Sequence, residues 1–412
     1  MVMKKGGAHA YFIWAVGSLF YLYEYFVRVV PSVMESDLEL AFGANATQVA
    51  TAVGMYLMVY SPMQLVVGPL FDVFGTRKLL VPASFILAFS CLLPLVPSNH
   101  LGYFGLGRLL MGFSSAFGFV GVMYLCTVWF PAKRLAMLSG LTTALGMLGA
   151  ITAQTCLSSL NAQLGWRSTW YLSIAFGIFV TCLLMFCIPK HPDWLPRPKG
   201  KHIWISCKSN LRQVFKNKQT WLIGFLSSAL FMPLAVFADF WGIPYFINVS
   251  HFTNSQAVKL TALLYLGWTL GSPFVGWISD RFKTRKIPLF ISGILSSLVF
   301  TWVICMPTAN FSTIAFLLFI LGLCSSGQVV GFIACVELNT KQASGSSIAV
   351  VNMVVMWLCG FVQTFTGYLI DLFKPYCNLQ QTYQLSLCII VLFLILGTVL
   401  FGLFSKDSSR EK

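Results

Sequence analysis

Twelve apolar stretches set the terms on which this chain can fold. They cover approximately residues 10–33, 46–70, 78–97, 101–129, 134–158, 168–188, 220–247, 257–279, 287–307, 311–336, 344–370 and 382–404 of the 412. A helix needs roughly 20 apolar residues to cross the hydrocarbon core of a bilayer, and each stretch is about that long. With 57% hydrophobic and only 9% charged residues, a water-soluble fold could not cover its apolar mass with polar surface. The expected class is therefore an all-α membrane protein with twelve transmembrane helices, numbered here as spans 1 to 12.

The net charge of +15 would point to nucleic acid in a soluble protein, but its placement excludes that partner. Lys4 and Lys5, Arg77 and Lys78, Lys133 and Arg134, the run from Lys190 to Lys218, Arg281 to Lys286, Lys341, and Lys406, Arg410 and Lys412 all fall in alternate loops. The positive-inside rule then puts both termini and the long central loop in the cytoplasm. Opposite loops carry Glu35, Asp37 and Glu39 and only the bases Arg167, Lys259 and Lys374. A first apolar segment this long, carrying Glu24 and Arg28, does not read as a cleaved signal peptide. The twelve cysteines form no CxxC pair and read as small buried hydrophobes, so no metal and no cofactor is expected. Asn45, Asn248 and Asn310 head Asn-x-Ser/Thr triplets in outer loops, which matter only in a eukaryotic host.

A charged hairpin appears twice. GPLFDVFGTRK from Gly68 to Lys78 returns 208 residues later as GWISDRFKTRK from Gly276 to Lys286. Gly112 and Gly121 recur as Gly322 and Gly331, and Thr169 to Ser173 as Thr382 to Ser386. Such matched offsets indicate duplication, hence two pseudo-symmetric six-helix bundles, residues 1–188 and 220–405, with a tail at 406–412. The basic, proline-broken stretch 189–219 is the central cytoplasmic linker. Within it, Ile203 to Phe215 reads either as plain linker or as an amphipathic helix with Trp204 and Phe215 dipped into lipid.

The GxxxDxxGxRK hairpin, the twelve spans and the central loop resemble those of a major facilitator superfamily transporter along the whole chain. YEYFVRVVPSVM, YSPMQLVVGPLFDVFG and FADFWGIPYF are similar to the phagosomal nutrient (amino acid) transporters of intracellular bacteria, which implies a bacterial inner membrane and a monomer. The resemblance implies a cytoplasmic gate made by Gly68, Asp72, Gly75, Arg77 and Lys78, repeated in Gly276, Asp280, Arg281, Arg285 and Lys286. Gly68 and Gly75 would permit close helix contact and a tight turn, and Lys283 in place of the second glycine puts the second turn in question. The rival reading, basic residues that only fix topology, leaves the repeated acids Asp72 and Asp280 unexplained. Glu337 is expected to partner Arg281 or Arg285, and Asp371 reads as a loop-edge charge.

Charges at bilayer depth are expensive, so those that remain are candidates for function. Glu24 and Arg28 lie one helical turn apart, with Tyr21 on the same face and a kink expected at Pro31. They read either as cavity residues or as a self-neutralising pair. Arg108 in GRLLMG stands where the resemblance places a substrate- or proton-coupling arginine, with snorkelling to the headgroups as the rival. Asp239, between Phe237 and Trp241, is a candidate reversible proton carrier. Gln328 and Asn352, with Trp241, complete the expected pathway. Gln154 and Gln363 read as helix-to-helix hydrogen bonders.

No Walker loop, dinucleotide fingerprint or HExxH motif is present, so an enzyme is not expected and energy must come from a gradient. Acids and bases offered together suit a zwitterion. In the drug antiporters of the superfamily, span 5 carries a Gly-Pro pair; GLTTALGMLGA from Gly140 to Ala150 lacks the proline, which favours uptake. The expectation is proton-coupled import of an amino acid or similar small polar nutrient. Rivals are a nucleoside, siderophore or organic anion carrier, a drug or metabolite efflux antiporter, and a non-transporting membrane sensor.

Overall fold

The structure is a computed structural model. It describes residues 7–96, 100–130, 135–189, 200–306, 310–340 and 343–407, without the side chains of 72, 73, 135–137, 139, 200–207 and 280. Inside lipid a backbone can satisfy its polar groups only within its own segment, and the apolar stretches are accordingly helical. Eleven helices among the described residues are long and apolar enough to cross a membrane: Ala8–Val33, Ala46–Phe71, Thr76–Leu95, Leu101–Trp129, Gly140–Leu164, Trp166–Cys187, Lys218–Asn248, Lys286–Cys305, Phe311–Glu337, Ser344–Phe373 and Leu379–Phe404. Span 8 is the helix Asn254–Arg281, 28 residues long but less apolar. Span 8 packs between spans 5 and 10, so polar residues such as Thr261, fully buried, meet protein instead of lipid.

Packing repeats with a shift of six. Span 1 lies on span 5 as span 7 does on span 11; 2 pairs with 4 as 8 does with 10; 3 pairs with 6 as 9 does with 12. The two sets meet along spans 2 and 11 and along spans 5 and 8, which the same shift interchanges. Close backbone approaches repeat too. A Cβ on Gly112 would lie 2.1 Å from the Tyr56 carbonyl oxygen, and one on Gly322 would lie 2.2 Å from that of Leu264. Tyr56 and Leu264 are separated by the same 208 residues as the hairpins. The hydroxyls of Ser173 and Ser386 donate to the carbonyls of Thr169 and Thr382, both at 2.7 Å. Gly121 and Gly331 do not repeat a contact: the first faces Leu80 and Phe71, the second Ser227.

In the hairpins, Gly75 turns with φ 74° and Lys283 turns with φ 49°. The second hairpin therefore keeps the left-handed turn without its glycine. Gly68 and Gly276 have nothing within 4 Å of a would-be Cβ, which corrects the close helix contact expected at Gly68. Arg285 grips Glu337 through two bonds of 3.1 and 3.3 Å. Asp407 accepts from the Thr284 hydroxyl at 2.6 Å and the Arg285 N–H at 3.2 Å, and Lys286 donates to the Ser405 carbonyl at 2.8 Å. Arg77 is half-buried, and Lys78 and Arg281 are exposed. The Asp72 and Asp280 carboxylates, with Lys133, Arg134 and Lys341, lie outside what is described.

The linker contains a helix, Gly200–Lys216. Val214 is buried against Ala343 and Val350, with Leu65, Leu211 and Phe215 packed around them, so the helix bridges spans 2 and 11 on the side of the termini. The Phe215 ring lies tilted against that of Trp221 at 5.6 Å, and the Trp221 indole N–H donates to the Phe215 carbonyl at 2.8 Å. Docking on protein replaces the dip into lipid expected for Phe215; Trp204 lies outside the described side chains.

On the opposite side, Asp371 is more than a loop-edge charge. It accepts from the Thr47 N–H at 2.8 Å and the Thr47 hydroxyl at 2.6 Å, holding the start of span 2 to the end of span 11. Two of the asparagine triplets have helix-capping work: the Asn45 and Asn310 side chains accept from the N–H groups of Gln48 and Thr313. The short helix Glu35–Phe42 buries Glu35. Burial first, and then neighbouring Glu39, push this carboxyl up to about 8, while Lys374 pulls it down.

Two predictions follow from this packing. Gly112→Val forces a side chain into the Tyr56 backbone, an overpacking expected to cost about 1 to 3 kcal/mol, whereas Gly68→Ala is neutral; thermal unfolding of purified protein in detergent reads both. Because the folded Glu35 holds its proton more tightly than an unfolded carboxyl of 4.5, its stabilisation is complete below about pH 4.5 and is lost as pH rises through about 8. The Tm difference between Glu35→Gln and the parent should grow across that window, and a pH-independent difference contradicts the assignment.

Candidate functional site

Span 1 runs as an α-helix to Val29 and tightens at Pro31 into a 3-10 turn, Val30–Val33, because proline removes an N–H from the ladder. Glu24 and Arg28 leave one face of this α-helix a turn apart, yet they do not neutralise each other. The Arg28 guanidinium pairs with Asp239 of span 7 at 2.7 Å, with both side chains buried at 3% and 6% exposure. That corrects the self-neutralising pair. Snorkelling is corrected as well, since neither Arg28 nor Arg108, at 2% exposure, reaches the surface. The face of Arg28 lies over the rings of Tyr25 at 5.1 Å and Phe231 at 5.6 Å, which favours the cation in a dry setting.

Asp239 is presented by an unusual stretch of span 7. From Pro233 to Trp241 the helix widens to the π form, a geometry that recurs at functional positions. Its second carboxylate oxygen accepts a very short hydrogen bond from the Tyr265 hydroxyl of span 8. Gln154 of span 5 clamps the same stretch. Its amide donates to the Ala238 carbonyl at 2.8 Å, and its oxygen accepts from the Thr261 hydroxyl at 2.9 Å. Spans 1, 7 and 8 thus meet at one carboxylate, and span 5 clamps the backbone beside it.

Glu24 is fully buried. One oxygen receives only the Tyr56 hydroxyl, at 3.4 Å, and the other has no hydrogen-bond partner among the described residues. Gly118 of span 4 makes room for it: a Cβ there would stand 2.3 Å from Oε2 and 3.4 Å from the Tyr21 ring. Tyr21 packs edge-on to Tyr25 at 5.1 Å and over Gly146 of span 5. A half-satisfied carboxylate in such a place costs energy, and the open oxygen is the chemically available group of the site.

Arg108 has its donors occupied. They reach the carbonyls of Val53, Val27 and Arg28 at 3.3, 3.3 and 3.2 Å, and the cation lies 4.7 Å from the Tyr56 ring centre. It braces span 4 against spans 1 and 2, next to the cluster. Trp241, expected in the pathway, spends its N–H on the Gln363 carbonyl of span 11 at 3.1 Å as a tie between helices. Gln328 is buried and Asn352 half-buried, but no contact among the described residues joins either to the charged cluster. Tyr265, Tyr56 and Thr261 were missed by sequence reasoning. Their one sequence signal is the low apolarity of span 8, which carries two of them.

Two repeated sets of six membrane helices, meeting around buried charges, define a multi-pass membrane transporter for small solutes and not an enzyme. The chain belongs to the Major Facilitator Superfamily, whose family model matches residues 13–364. It is similar to the uncharacterized transporter YybO of Bacillus subtilis (strain 168), 23% identical over 100% of this chain and 97% of that protein. Among solved structures it resembles a bacterial homologue of the human lysosomal transporter Spinster in an inward-facing, unoccupied conformation, with a TM-score of 0.78 and 14% identity over 98% of each chain. The nucleoside transporter NupG aligns with a TM-score of 0.75 and 14% identity over 96% of this chain and 100% of that one.

Removing either partner of the Arg28 and Asp239 pair leaves a buried charge alone, which destabilises by about 3 to 5 kcal/mol. Arg28→Met and Asp239→Leu should each lower the Tm in detergent markedly, and the double variant should recover most of the loss. Additive losses in the double variant would mean that the two charges are not coupled.

Proposed function

We propose that this protein imports an amino acid or a similarly small zwitterionic nutrient together with protons, by alternating access. The moving parts are two halves, 1–188 and 220–405, joined by the linker 189–219 and followed by the tail 406–412. The protein works as a monomer in a bacterial inner membrane with both termini in the cytoplasm. The observation that carries this reading is the ion pair between Arg28 and Asp239, a charge lock across the two halves beside a carboxylate with an open oxygen at Glu24.

A proton arriving at Asp239 cancels the attraction that holds Arg28. The released guanidinium can then take the carboxylate of a substrate, while Glu24 takes its ammonium. Binding and protonation thereby favour the same change of state, which is what coupling requires. Hydrogen bonds from Thr47 to Asp371, Asn254 to Ser158 and Thr261 to Gln154 tie the halves together away from the termini, while the Ser61 to Met353 bond and the linker helix join spans 2 and 11 on the side of the termini. In the state open to the outside, the hairpin groups Asp72, Arg77, Lys78, Asp280, Arg281, Arg285, Lys286 and Glu337 would form the cytoplasmic gate. The short strings in spans 1, 2 and 7 that resemble phagosomal nutrient transporters support an amino acid as the cargo.

The test is uptake of a radiolabelled panel of amino acids, nucleosides and organic acids into proteoliposomes, with and without a proton gradient. An amino acid should accumulate up to roughly fifty-fold per 100 mV when one charge moves with it. Asp239→Asn should abolish accumulation, and Glu24→Gln should raise the KM for the amino acid at least tenfold. Gradient-driven uptake that survives both substitutions refutes the coupling scheme; flux of nucleosides alone refutes the cargo.

A further inference from the structure

A groove of about 820 Å³ lies between span 2 and spans 7, 11 and 12. Its walls are apolar, with Trp221 44% and Trp357 52% exposed at its mouth. The one hydroxyl among its lining residues, on Ser61, is already satisfied by the Met353 carbonyl at 2.7 Å. Pro62, also in the wall, interrupts the hydrogen-bond ladder of span 2 at this level. One charged group lines the groove. Lys218 is the first residue of span 7, exposed and without an ion pair among the described residues. Beside it the linker helix adds the exposed bases Lys208, Arg212 and Lys216.

An apolar slot within the bilayer, with one free cation at the end that meets the headgroups, has the polarity of a phospholipid with an anionic head. A water-soluble ligand would find no polar partner along the walls. A zwitterionic lipid offers the same phosphate, but its own ammonium offsets the attraction of Lys218, so the slot favours a head with net negative charge.

We propose that the groove binds one anionic phospholipid of the leaflet facing the termini, with its phosphate on Lys218 and one acyl chain along Trp221, Phe225 and Trp357. Because span 2 forms one wall and spans 7, 11 and 12 the others, the bound lipid braces the seam between the first six and last six spans. The site is separate from the charged cluster and does not depend on what the protein transports.

Native mass spectrometry of the full-length protein, with phosphatidylglycerol and phosphatidylcholine of matched chains, tests the site. The parent should retain one phosphatidylglycerol with roughly fivefold preference, the effect of one lysine at an anionic surface. Lys218→Gln should erase that preference while Lys208→Gln keeps it, and Leu400→Trp, which fills the slot, should lower retention of both lipids. Equal retention of the two lipids by the parent overturns the proposal, as does a preference that survives Lys218→Gln. Displacement of the lipid by equimolar glycerol 3-phosphate also overturns it, because the slot would then contribute nothing. Leu400→Trp is read only on a monodisperse sample, and unchanged retention by it assigns the lipid elsewhere.

Discussion

The ion pair between Arg28 and Asp239 organises the centre of this molecule. Each charge alone would be costly at that depth, and each is tolerable only because the other helix supplies its counterpart. Span 1 and span 7 occupy equivalent places in the two repeated sets, so the bond joins what the duplication made separate. Around it, Gln154 and Thr261 tie spans 5 and 8, and Tyr265 fixes the orientation of Asp239.

An attraction of this kind suits a switch better than a scaffold. A hydrophobic seam of the same area would be stable under all conditions, whereas a salt bridge is cancelled by one proton or outcompeted by a charged solute. Under the proposed function, the Glu24 oxygen that has no hydrogen-bond partner among the described residues fits the same logic, since an ammonium arriving there would satisfy it. Arg108, by contrast, has each of its three nitrogens on a backbone carbonyl. It keeps spans 1, 2 and 4 in register around the site.

Duplication explains much of the architecture with little information. The glycine that brings span 4 onto span 2 is matched by the one that brings span 10 onto span 8. Evolution has nonetheless loosened the copy: Lys283 holds a left-handed turn where Gly75 stands in the first hairpin. The tail residue Asp407 steadies the second hairpin.

Period, length and composition were enough to read the number and order of the helices, because lipid leaves a backbone no other choice. They were also enough to locate the buried charges as candidates, since charge at that depth is rare. Partners were a different matter. Whether Arg28 would turn to Glu24, four residues away, or to Asp239, 211 residues away, depends on how spans 1 and 7 approach, and local spacing carries no record of that. The same holds for Asp371, which looked like a loop charge until the end of span 11 was seen against the start of span 2, and for Trp241, whose N–H goes to the Gln363 carbonyl of span 11. The sequence by itself determined which groups had to be hidden from lipid; only the packing of helices decided which of them meet, because contact between distant segments is set by the shapes of whole faces and not by any residue alone.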